Sequence, residues 1–220
     1  MSEVSWVFPP ASTADENGIV GVGADLSPAT MLAAYSDGIF PMPLHEDGDV
    51  AWWSPDPRAI MPIEGLHVSR SLRRSMRRFT VTVDTEFEAV VDACADPGRP
   101  QGWIDQQMKD AYRRLHEAGF AHSIEVRSAA GELIGGLFGV GFDRFFAGES
   151  MFHHETDASK GALVATCDYL RNARVVLFDV QWLTPHLESM GAIEVPRTEY
   201  LRRLAEAVST DPSGNRPEVP

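Results

Sequence analysis

Phe178-Asp179-Val180-Gln181 places a carboxylate and a carboxamide two residues apart at the end of an apolar run. If the run is a strand, Asp179 and Gln181 share one side and Phe178 and Val180 the other. Such a pair can organise a reactive amine, although a structural hydrogen-bonding role is the commoner use. Glu149, in Gly148-Glu149-Ser150, stands at another expected strand end and is open to the same two readings. Four arginines, Arg70, Arg73, Arg74 and Arg77, recur at i, i+3, i+4 and i+7, which puts them on one helix face. No acid is interleaved between Val68 and Phe79, so the arginines repel one another unless an anion lies on them. A phosphate backbone suits that face, and so does plain solvation of an amphipathic helix.

Other chemistries find little support. The seven histidines include the adjacent pair His153-His154 but no metal-binding spacing, and the two cysteines, Cys94 and Cys167, stand apart as core residues of a reducing compartment. There is no Gly-x-Ser-x-Gly elbow. A coenzyme A acyltransferase would carry a basic, glycine-rich pyrophosphate loop before its central helix; here the segment reads GESMFHHETDASKGA, with Gly161 inside the helix. Trp52-Trp53 and Phe145-Phe146 read equally as core or as a stacking surface for a base.

The elements that must position these residues follow from periodicity and breakers. Ser27-Pro28 opens a helix that Gly38 stops. Residues 39–62, rich in Pro, Trp and Gly, are expected to be an irregular connection. Helices are expected over 67–78, 86–95 and 105–118, with a strand over 79–84. A meander over 123–128, 132–140 and 144–150 follows. Asp157 is expected to cap the next helix through its side chain. Strand 175–180, a short helix ending at Gly191, strand 192–195 and a final helix from Arg197 complete the order β-β-β-α-β-α-β-α. This pattern is an α+β arrangement, a mixed sheet with flanking helices like that of acyltransferases with a splayed cleft. A small N-terminal domain and connection (1–62), an acyltransferase-like domain (63–208) and a disordered tail (209–220) are the expected divisions.

The net charge of −13 argues against nucleic-acid binding over the whole surface, yet residues 1–60 hold nine acids against Arg58 alone, and 61–120 hold nine of each sign. One basic stripe on an acidic body permits a local phosphate contact. No run reaches the ~18–20 apolar residues of a membrane span, and MSEVSWVFPP lacks the features of a secretory signal, so the cytosol is the expected location.

Several strings, in order and spacing, resemble the leucyl/phenylalanyl-tRNA–protein transferases: Gly23-Ala24-Asp25-Leu26-Ser27-Pro28, Gly38-Ile39-Phe40-Pro41, Trp52-Trp53-Ser54-Pro55-Asp56-Pro57-Arg58, Gly148-Glu149-Ser150-Met151-Phe152 and Asp179-Val180-Gln181. The resemblance spans about residues 8–204. It implies a GNAT-like acyltransferase domain after a small N-terminal one. It also implies a cytosolic enzyme without metal or cofactor; a monomer is the expected state, though the sequence does not reveal it. That enzyme moves Leu or Phe, less readily Met, from leucyl-tRNA or phenylalanyl-tRNA to proteins beginning with Arg or Lys, marking them for N-end-rule degradation. Asp179 and Gln181 match the family's catalytic pair. Trp103 matches an aromatic beside the 3′ adenosine, Leu137 and Phe146 match the aminoacyl pocket, and the arginine stripe matches the tRNA-facing cluster. Glu149 is a candidate for drawing in the cationic acceptor. Members can carry Trp after Gly-Ile-Phe-Pro, near that adenosine; this chain has Met42 instead.

Overall fold

A computed structural model describes residues 6–44, 48–98 and 102–209. The residues beyond 209 that were expected to form a tail lie outside the described residues. Helix α1 (Pro28–Ser36) starts where the Ser27 hydroxyl accepts from the Thr30 amide, with Pro28 at the first helical position, where its missing N–H costs nothing. It stops at Gly38, whose φ of +77° is left-handed.

The expectation of an irregular connection over 39–62 is corrected: it holds β2 (Phe40–Pro43), β3 (Val50–Trp53) and β4 (Arg58–Ile60). A further short strand, β1 (Ile19–Val22), completes a three-stranded sheet in the order β1-β3-β2. The prolines misled because they break central strands, whereas β2 is an edge, where a missing N–H can face outward. β4 leaves this sheet and joins the larger one.

Helices α2 (Arg70–Met76), α3 (Phe87–Cys94) and α4 (Gln106–Glu117) alternate with strand β5 (Thr80–Val83) much as periodicity predicts. Strands β6 (Ala121–Arg127), β7 (Leu133–Phe142) and β8 (Phe145–His153) form the meander. After them come α5 (Ala158–Asn172), β9 (Leu177–Gln181), α6 (Pro185–Ser189), β10 (Ile193–Val195) and α7 (Arg197–Val208). Asp157 precedes α5 as expected but does not cap it through its side chain. At φ +71° its carboxylate instead accepts from the Ser75 hydroxyl at 2.7 Å, fastening α2 to α5.

The seven-stranded sheet runs β10-β4-β9-β8-β7-β6-β5, antiparallel throughout except for β8 and β9. The fold is thus a mixed α+β one with helices on both sheet faces. One face packs α3, α4, α7 and the small sheet around Val90, Met108, Tyr112, Phe138 and Tyr200. The other packs α2, α5 and α6 around Leu72, Leu163, Cys167, Phe178 and Leu187. Strand alternation divides β9 between them, which is what turns Asp179 toward α7.

Candidate active site

The parallel pair β8 and β9 matches for only three positions, Phe145 with Leu177, Phe146 with Phe178 and Ala147 with Asp179, although β8 continues to His153. Beyond Ala147 the two strands part. A Cβ on Gly148 would lie 2.9 Å from the Phe178 ring, so only glycine lets the strands begin to separate with that ring between them. Their divergence opens a cavity of about 1140 Å³ with Gly148, Glu149 and Ser150 on one wall and Val180 and Gln181 on the other. Its floor is apolar (Leu137, Met151, Leu163, Phe178), and Phe40, Met42, Trp103 and Trp182 stand around it. Trp182 is 37% exposed and held edge-on by Phe40 and Trp53, with ring centroids 5.1 and 5.9 Å away.

Glu149 is gripped at both oxygens: the Tyr35 hydroxyl donates to Oε1 at 2.8 Å and the Tyr112 hydroxyl to Oε2 at 2.7 Å. Burial pushes its carboxyl up to about 7; the two phenols oppose that rise, and the negative charge of Asp179 adds to it. Burial beside this carboxylate also holds both phenols well above their ordinary value, so they remain donors.

Asp179 is fully buried and takes four hydrogen bonds. Oδ1 accepts from Arg58 Nε and from the Gln181 amide, both at 2.9 Å. Oδ2 accepts from Arg58 Nη2 at 2.5 Å and from the Tyr200 hydroxyl at 2.8 Å. Arg58, 1% exposed, lies between the rings of Phe40 and Tyr200, each 4.5 Å from its guanidinium carbon. Its Nη1 donates to the Gly38 carbonyl at 3.3 Å. Burial works against the guanidinium charge, but the Asp179 carboxylate outweighs it and holds the pKa above the ordinary value.

Gln181 has φ +57°, uncommon for a residue with a side chain. It lines the cavity, 7% exposed, and its buried Nε2 has no hydrogen-bond partner among the described residues. An unsatisfied buried amide costs roughly 1–3 kcal/mol, and it marks a group free to bind a ligand.

Met42, Trp103, Leu137, Glu149 and Gln181, far apart in sequence, therefore meet at one cavity. Asp179 and Phe146 are not on its wall. Phe146 lies a layer beneath, 2% exposed and edge-on to Phe178 at 5.6 Å, because its place in the strand turns it into the helix-covered core. The arginines are elsewhere: Arg70, Arg73, Arg74 and Arg77 line a shallow surface depression of about 280 Å³ on α2. Among the described residues none of the four has an acidic partner. Sequence reasoning missed Arg58, Tyr200, Tyr35, Tyr112 and Trp182 as site residues. A signal existed only for Arg58, a lone base running into Ala59-Ile60-Met61, where burial would demand a carboxylate. The tyrosines carried none.

Fold and site together define a mixed α+β protein whose splayed strands hold an apolar cavity faced by a carboxamide. The chain belongs to the leucyl/phenylalanyl-tRNA protein transferase family: the family's pattern matches residues 60–205 and that of its N-terminal domain residues 24–56. The leucyl/phenylalanyl-tRNA–protein transferase of Novosphingobium aromaticivorans is 50% identical over 194 residues, covering 86% of this chain and 73% of that one. That of Pseudomonas entomophila is 45% identical over 217 residues, covering 96% and 94%. Among solved structures, L-PGS from Bacillus licheniformis aligns with a TM-score of 0.44 at 11% identity, over 71% of this chain and 66% of that one.

Proposed function

We propose that this enzyme moves Leu or Phe, and less readily Met, from aminoacyl-tRNA to the α-amine of proteins that begin with Arg or Lys, marking them for N-end-rule degradation. The observation that carries the reading is the apolar floor lying beside the Gln181 carboxamide, whose Nε2 is unpartnered among the described residues, where β8 and β9 part. The aminoacyl side chain occupies the floor near Leu137, with Phe146 supporting it from beneath. The terminal adenosine lies against Trp103 near Met42. A cavity of about 1140 Å³ exceeds the ~300–1,000 Å³ usual for one small ligand, as a site receiving both an aminoacyl nucleoside and a peptide end requires.

The tRNA backbone rests on Arg70, Arg73, Arg74 and Arg77. Helix α5 connects the two regions, since Asp157 before its first turn holds α2 while its Ser159 and Leu163 line the cavity. The division at residue 62 is part of the same proposal, with β4 the strand that the N-terminal domain lends to a GNAT-like sheet. The enzyme works as a cytosolic monomer; among the described residues no helix is long and apolar enough to cross a membrane.

The chemistry is modest. The ester donor is already activated, and an α-amine of pKa near 7.7–8.0 is roughly one-tenth neutral at pH 7, so no strong base is needed. Holding amine against ester supplies several kcal/mol of the barrier reduction. The carboxamide oxygen of Gln181 accepts a hydrogen bond from the attacking amine, and Glu149, as it ionises above about pH 7, favours a cationic acceptor. The test is transfer of radiolabelled leucine from leucyl-tRNA to a protein starting with Arg, beside one starting with Ala. Label on the Arg substrate alone is expected. Label on neither, with charged tRNA and folded enzyme verified, would overturn the reading in favour of a coenzyme A acyltransferase or a tRNA-binding adaptor.

A further inference from the structure

We propose that Arg58 and Tyr200 are positioning residues for the transfer reaction, and that Asp179 acts with them through the backbone of Gln181 rather than on the substrate. The inference rests on the function proposed above and adds how the site is held. An ionised carboxylate has about four lone-pair sites, and Asp179 fills all four: two with the Arg58 fork, one with Tyr200, one with the Gln181 amide. It is fully buried and absent from the cavity wall, so no lone pair and no surface remain for a substrate proton. What it does reach is the N–H of the one cavity residue whose backbone is left-handed. Pairing of Gln181 with Ala59 on β4, next to Arg58, fixes that residue from its other side.

Four parts of the chain converge here: the turn at Gly38, β4 through Arg58, β9 through Asp179 and α7 through Tyr200. The guanidinium and carboxylate form a planar two-point fork, which fixes orientation as well as distance. Its rigidity passes to Gln181 by one hydrogen bond and two intervening backbone units. The positive φ is thereby over-determined, as strained functional backbone must be. The carboxamide, whose Nε2 has no partner among the described residues, is aimed by its main chain.

The experiment is steady-state transfer with four proteins: wild type, Tyr200→Phe, Gln181→Ala and the double variant, with melting followed for each. Tyr200→Phe removes one oxygen atom and is the mildest change available. It is expected to lower kcat about tenfold, leaving KM for aminoacyl-tRNA within about twofold. In the Gln181→Ala background the same change is expected to lower kcat by less than about twofold, because the group it positions is gone. Arg58→Lys, which keeps the charge but loses the fork, is expected to behave like Tyr200→Phe wherever it stays folded. Equal fractional losses in both backgrounds, or an unchanged kcat for Tyr200→Phe, would overturn the proposal while the transfer reading stands. A wild type that transfers nothing would overturn both readings together.

Discussion

Replacing Arg58 by methionine would leave the Asp179 carboxylate buried with two of its four donors gone. The lost contacts are the 2.9 and 2.5 Å bonds from Nε and Nη2, in a place where neither side chain is more than 1% exposed. Breaking a buried pair from one side costs about 3–5 kcal/mol, because the remaining charge has neither water nor a partner. A domain of this size loses about 2–4 °C of Tm per kcal/mol, so the variant is expected to melt roughly 6–20 °C lower. Asp179→Asn, which strands the guanidinium instead, belongs in the same range. The double variant Arg58→Met/Asp179→Asn carries no stranded charge. Its amide oxygen still accepts from the Gln181 N–H, and methionine fills the slot between Phe40 and Tyr200. It is expected to recover more than half of the single-variant loss, which for singles of about 3–5 kcal/mol is a coupling of about 4.5 kcal/mol or more. Urea or thermal unfolding at matched m-values measures this. Additive losses, or singles within about 1 kcal/mol of wild type, would refute the picture of a dry, mutually dependent pair.

Glu149 gives a pH test. The folded protein keeps the Glu149 proton to about pH 7, whereas the unfolded chain releases it near the ordinary value of 4.5. Folding therefore holds more protons between those limits, and the contribution from this group falls as pH rises through that window. Glu149→Gln, which cannot ionise, should flatten the decline in Tm between about pH 5 and 7; an unchanged decline would dissociate it from Glu149. Replacing Arg70, Arg73, Arg74 and Arg77 by alanine should weaken tRNA binding and make its salt dependence shallower by roughly 0.7–0.9 per lost phosphate contact. Tm should barely move, since these side chains have no acidic partner among the described residues; weaker binding with an unchanged salt slope would argue against phosphate contact. Met42→Trp should lower KM for aminoacyl-tRNA by adding a stacking surface worth up to about 1–3 kcal/mol, and a KM that stays the same or rises would remove the base from that wall.

The family was legible before any coordinates, because strings such as WWSPDPR and GESMF are long and little degenerate. So were most elements from α1 onward, where capping residues and apolar periodicity act locally: Ser27-Pro28 and Asp105 begin helices in the chain as their chemistry says they should. The small sheet was not legible. Its strands are four residues long, too short for periodicity to register, and β2 carries two prolines that only an edge position tolerates. Asp157 shows the same limit at the level of one side chain, since whether it caps its own helix or fastens a neighbour depends on where Ser75 arrives.

The site divides along that line. Sequence alone determined which residue types were available, that Asp179 and Gln181 stand two apart at a strand end, and that four arginines share a face without acids among them. Those are properties of one segment at a time. Tertiary structure decided that Asp179 is spent on Arg58 and Tyr200, that Tyr35 and Tyr112 share the Glu149 carboxylate, and that Gln181 alone of the pair faces the cavity. Each of these joins partners separated by between 21 and 121 positions. The physical reason is that hydrogen bonding and desolvation act through space: a carboxylate becomes a support or a reacting group according to which donors the fold brings to it.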